Sequence, residues 1–70
     1  MPISFVTEGK SVKIKNIQMS EKMGKKIKEM GFNVGADVEV VKNDGACLIV
    51  GIQGLRVAIS RGMAQKIIVE

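Results

Sequence analysis

A chain of 70 residues makes one domain and buries only about 60% of the surface its unfolded form exposes, which excludes a large enclosed ligand cavity. Hydrophobic residues make up 46% of the chain, enough for a packed core, while eleven basic against seven acidic residues leave a net charge of +4 that modestly favours acidic partners. Cys47 is the only cysteine, so no internal disulfide forms, and a cytoplasmic location is expected.

The N-terminus Met1-Pro2-Ile3-Ser4-Phe5 carries neither a basic nor an apolar leader region, and no run reaches the ~20 apolar residues of a membrane span. Neither a secretory leader nor membrane insertion is expected. After a turn at Gly9, Val12-Lys13-Ile14-Lys15 alternates strictly and continues to Ile17, which predicts a strand with a buried face and a lysine-bearing wet face. Ser20 offers an N-cap hydroxyl and Glu21 a first-turn negative charge, so a helix is expected to start there. Met19, Met23, Ile27 and Met30 form its apolar stripe, with Lys22, Lys25, Lys26, Lys28 and Glu29 on the remaining faces. Gly31 is expected to stop it as a left-handed C′ residue. Gly24 costs this helix about 1 kcal/mol relative to alanine. Either the backbone needs a close approach there or the helix is loosely held.

Asn33-Val34-Gly35 predicts a turn, and Val38, Val40 and Val41 a second strand. Asn43-Asp44-Gly45 is a tight hairpin signal leading into the apolar run Ala46 to Ile52. A strand apolar on both faces belongs in the middle of a sheet, or between a sheet and another element. Gln53-Gly54 turns the chain into a strand built on Leu55, Val57 and Ile59, completing a three-stranded meander. Ser60 can cap a short helical turn from Arg61 to Lys66, and Ile67-Ile68-Val69 is a last strand. The sum is a mainly β chain of about five strands, with one α-helix after the first strand and a short helical turn before the last. Closing the sheet into a small β-barrel, the last strand beside the first, hides the apolar faces and edges that an open sheet would expose.

Catalytic constellations are missing. There is no histidine, so the commonest general base is absent and Cys47 has no imidazole to make it a thiolate; its place in an apolar strand predicts a packed thiol. Asp37 and Glu39 are the only close pair of carboxylates, far short of the oxygen donors a hard cation needs. Zinc or ferrous iron likewise lacks a set of Cys, His and carboxylate ligands. Gly51-Ile52-Gln53-Gly54 lacks the lysine and the following helix of a phosphate loop. A non-enzyme without metal site or cofactor is expected, acting through its surface. The densest positive region is Lys22, Lys25, Lys26 and Lys28, preceded by Lys10, Lys13 and Lys15. It is either a solvated face that keeps the chain soluble or a docking surface. The stripe Met23, Ile27 and Met30 likewise either packs the helix on the barrel or also meets a partner.

The run from Lys26 through Ile27-Lys28-Glu29-Met30-Gly31-Phe32-Asn33-Val34-Gly35 to Val41 resembles the FeoA family pattern of a helix ending in an apolar-Gly-apolar step, a Pro-Gly-type turn and a valine-rich strand. Leu55 to Val69 is similar to the family's closing strand, short helix and final strand, and Thr7-Glu8-Gly9-Lys10 extends the match over almost the whole chain. Val34 stands where the family turn usually carries proline, and Asn43-Asp44-Gly45 is shorter than the family hairpin loop. The resemblance implies an SH3-like barrel serving bacterial ferrous iron uptake, partnered with the cytosolic part of the membrane GTPase permease, FeoB. For that role the expected contacts are Ile27, Met30, Gly31 and Phe32 at the helix end, with Lys25, Lys26 and Lys28 steering the encounter.

Two other functions compete with this one. A small basic barrel with a pI near 9.5 could bind nucleic acid, but such barrels stack bases on aromatics and this chain has only Phe5 and Phe32. Related barrels also occur as domains of metal-dependent repressors, although no DNA-binding helices are present here. Self-association is left open by the sequence.

Overall fold

The computed structural model describes residues Met1–Glu70, and its elements fall where the local signals lie. The alternating run is β1 (Ser11–Ile17), the capped segment α1 (Glu21–Glu29), the valine-rich run β2 (Asp37–Asn43) and the apolar run β3 (Cys47–Ile52). They are followed by β4 (Leu55–Ser60), the single-turn helix α2 (Arg61–Ala64) and β5 (Ile67–Val69). All pairings are antiparallel, in the order β4-β3-β2-β1-β5. The last strand lies beside the first, with Ile17 opposite Ile67, and α2 carries the chain between the two outermost strands while burying Ala64 completely.

The core is a cluster of 14 apolar residues, including Ile14 from β1, Val38 and Val40 from β2, and Leu48 and Val50 from β3. Each large member contributes about 1.5–3 kcal/mol relative to exposure. Two bulges set which residues reach that core. Pairing steps from Ile14 opposite Val69 to Asn16 opposite Ile68, leaving Lys15 as an extra residue. The strict alternation expected through Ile17 is therefore broken, and this lets Ile14 and Ile17, three residues apart, both pack on the core. In β2 the step from Val40 opposite Val50 to Lys42 opposite Ile49 makes Val41 the extra residue.

The first six residues, for which the sequence predicts no element, close the structure. Val69 N–H donates to the Met1 carbonyl over 2.7 Å, Pro2 bridges Ile68, and a 3₁₀ turn at Ile3–Phe5 drops Ile3 into the core with no exposed surface. Asn43, at the end of β2, anchors this segment. Its Nδ2 donates to the carbonyls of Ser4 and Val6 over 3.1 and 3.0 Å, and its backbone N–H donates to Glu8 Oε1 over 2.8 Å. The hairpin itself is shaped by Asp44, whose Oδ1 accepts from Ala46 and Cys47 N–H groups over 2.9 and 3.0 Å. Those two bonds to the charged form, aided by nearby Lys42, hold the Asp44 carboxyl below its ordinary range.

Candidate partner-binding surface

Helix α1 carries most of the residues singled out as contacts, and its ends determine which are free. Ser20 Oγ accepts from Met23 N–H over 3.3 Å at the start, with Glu21 in the first turn. At the far end Gly31 N–H donates to the Lys28 carbonyl over 3.0 Å and Phe32 N–H to the Ile27 carbonyl over 3.1 Å. This pair of bonds, with Gly31 at φ +101°, is a Schellman motif. Such a motif brings the side chains at C3 and C″ together, and these are Ile27 and Phe32.

That geometry corrects part of the expected site. Ile27 is 1% exposed and Phe32 not at all, so both are core residues that hold α1 onto the sheet, and no partner reaches them from solvent. Gly31 is also buried, beneath the Gln53 side chain at the β3–β4 turn; a Cβ on Gly31 would stand 3.2 Å from Gln53 Cδ. Gly24, by contrast, has no neighbour within 4 Å of its missing Cβ, so no close approach explains it.

What remains outside is Met30, 40% exposed, and the lysines Lys25, Lys26 and Lys28, joined by Lys22 and by Met23 at 39%. Four lysines against Glu21 and Glu29 give α1 a charge of +2, and none of the lysines forms an ion pair. The one ion pair in the structure joins Lys13 Nζ to Asp37 Oδ1 at 3.6 Å, between cross-strand partners of the β1–β2 pairing. The α1 face is thus an unneutralised positive patch interrupted by two flexible thioether side chains.

Sequence reasoning placed the contact at the C-terminal end of α1 and missed a cleft at the opposite end. A cavity of about 430 Å³ opens between α1 and α2, lined by Met19, Met23 and Met63 with Ser20, Ser60 and Lys66 on its rim. A signal for it exists in the chain. Ser20 and Ser60 both cap a helix and both receive the N–H of a methionine three residues on, Met23 and Met63, and all four residues line the same hollow. Cys47, expected to be packed away, is half-buried on the outward side of β3. No three Cys, Asp or Glu side chains converge on a common point.

A five-stranded antiparallel barrel of this size, with one helix after the first strand, is the SH3-like class. The FeoA domain pattern matches residues 1–70, and the chain belongs to the FeoA family. A protein of Methanocaldococcus jannaschii, provisionally named Fe(2+) transport protein A, is 35% identical over 69 residues, which is 99% of this chain and 84% of that one. The crystal structure of an iron uptake regulatory protein, FeoA, superposes with a TM-score of 0.91 at 27% identity, over 99% of this chain and 93% of the other. The zinc complex of Stenotrophomonas maltophilia FeoA, described as a prokaryotic SH3 domain protein, gives 0.87 at 24% identity, over 100% of this chain and 89% of its own. A manganese-dependent transcriptional repressor shares the fold alone, with a TM-score of 0.85 at 16% identity over 96% of this chain and 39% of that one. No helix of the chain is long and apolar enough to cross a membrane.

Proposed function

We propose that this chain is a non-catalytic, cytoplasmic accessory protein of ferrous iron uptake that binds the cytosolic part of the GTPase permease FeoB and modulates transport. Family membership supplies the iron-transport context. The observation that carries the docking surface is the α1 face, where Lys25, Lys26 and Lys28 are exposed without a counter-charge beside the half-exposed Met30 and Met23. Unpaired lysines steer an acidic partner and raise its on-rate, and methionines adapt to its apolar surface once contact is made. Ile27, Gly31 and Phe32 serve this surface from beneath by fixing the end of the helix. The cleft at Met19, Met23 and Met63 extends the same surface towards α2.

Calorimetric titration of the FeoB cytosolic domain tests the proposal. Simultaneous Lys25→Glu, Lys26→Glu and Lys28→Glu replacement is expected to weaken binding by at least about tenfold, and wild-type association to slow as salt rises. Met23→Asp with Met30→Asp is expected to raise the off-rate. All five positions are exposed, so circular dichroism is expected to show folded variants. Unchanged affinity in both variants refutes this surface, and absence of wild-type binding in every nucleotide state of the domain refutes the partner.

A further inference from the structure

Strand β3 is apolar on both faces, and the fold accounts for only one. Leu48, Val50 and Ile52 point into the core, whereas Cys47, Ile49 and Gly51 face outward. Ile49 pairs with Ala58 of β4 on one side and with Lys42 of β2 on the other, where the bulged Val41 also lies beside it. Both helices direct their buried residues, Ile27 and Ala64, into the core on the inward side of the sheet. The outward strip of Val41, Ile49 and Ala58, edged by the exposed Lys42, therefore keeps part of its surface open to solvent.

One row further along the same face, Glu39, Gly51 and Arg56 lie in direct cross-strand register. Gly51 has no side chain to fill the row, and a Cβ there would lie 3.8 Å from both Glu39 Cβ and Val41 Cγ2. The result is a cleft of about 290 Å³ with Glu39 on one wall and Arg56 on the other. The two charged residues stand two strand spacings apart, roughly 9–10 Å, and do not pair within the chain.

We propose that this outward face of β2, β3 and β4 is a self-association surface whose occupant is a second copy of this chain. The pattern is self-complementary about a two-fold axis running along β3 between two facing sheets. That rotation sets Glu39 of each copy against Arg56 of the other, forming two equivalent ion pairs, lays Ile49 over Ile49, and brings the bulged Val41 and the aliphatic stem of Lys42 over Ala58, with the Lys42 ammonium at the solvent rim. Opposite charges set symmetrically about a side-chain-free strand position match a copy of the same surface at both ends at once. An interface of three short strands is small, so the dimer is weak and concentration-dependent. It uses the sheet face, not α1, and stands or falls independently of FeoB binding.

Sedimentation equilibrium over a concentration series up to about 1 mM tests it. Wild type is expected to self-associate. Glu39→Arg and Arg56→Glu, each placing like charges opposite one another, are each expected to associate at least about tenfold more weakly. An equimolar mixture of the two single variants is expected to restore association, because each then offers the charge the other lacks. The double variant Glu39→Arg/Arg56→Glu is expected to self-associate again. A wild type that stays monomeric throughout overturns the proposal and frees the face for a different partner. Association that survives both single variants, or that returns in neither the mixture nor the double variant, overturns it equally.

Discussion

Replacing Asn43 with alanine removes three side-chain hydrogen bonds while leaving its backbone N–H on Glu8. The bond from Gly45 N–H to Oδ1, 3.2 Å long, is exposed and water replaces it. The two donated by Nδ2 are different, because they satisfy part-buried carbonyls of Ser4 and Val6 on a segment 37 and 39 residues away in sequence. At about 1 kcal/mol net for each, the loss is about 2 kcal/mol. For a domain of this length that lowers Tm by about 8–16 °C. The chain has no Trp or Tyr, so far-ultraviolet circular dichroism is the assay, not fluorescence. Asn43→Asp is the sharper variant. It keeps an acceptor for Gly45 but turns the donor into an oxygen facing two carbonyls, and at neutral pH it is expected to cost at least as much as alanine. A fall in Tm below about 3 °C in both variants would refute the role assigned to Nδ2.

Gly24→Ala is expected to stabilise the fold by about 0.5–1 kcal/mol in urea unfolding, since the position is helical and nothing lies within 4 Å of the new methyl. Gly31→Ala is expected to cost about 1–2 kcal/mol for its left-handed backbone, and more for the contact with Gln53; adding Gln53→Ala recovers only the contact part. Ile27→Asp is expected to abolish cooperative unfolding, because it places an unpaired carboxylate at a position 1% exposed. Asp44 governs part of the acid limb. Its native pKa lies below its unfolded value, so the unfolded chain takes up the proton first as pH falls. Its contribution is whole above the unfolded value, about 4, and is lost as pH drops through the depressed native value. Asp44→Asn is expected to lose less stability than wild type as pH falls below the unfolded value towards the depressed native one, and parallel acid curves would contradict this.

Signals confined to a few neighbouring residues were legible in the chain. Ser20 and Ser60 cap their helices, Gly31 ends α1, and Val34-Gly35 makes its turn with the N–H of Ala36 on the Asn33 carbonyl at 2.9 Å, Gly35 taking φ +90°. The candidate site was read less well, because exposure depends on what the fold sets above each residue. The apolar-Gly-apolar step that marks the helix end also turns Ile27 and Phe32 inward, so the feature that made them conspicuous removes them from the surface. Long-range bonds left no local trace: nothing near Asn43 announces Ser4 and Val6. The bulges at Lys15 and Val41 were invisible for a related reason, as an extra residue is defined only against the partner strand. The double-sided apolarity of β3 was legible, but only the structure shows which side lacks a cover.

The pairing of β1 with β5 has a consequence during synthesis. About 50 residues separate the end of β1 from the start of β5, so at ordinary elongation rates β1 waits roughly 3–10 s for its neighbour to leave the ribosome. Until then the edge that β5 will occupy, Ile14 to Ile17, is open, with Lys15 within it and Lys13 just before it. Two positive charges on an unpartnered edge repel an identical nascent strand on a neighbouring ribosome. The lysines that form the wet face of the finished barrel thus act first as guards of an unfinished one.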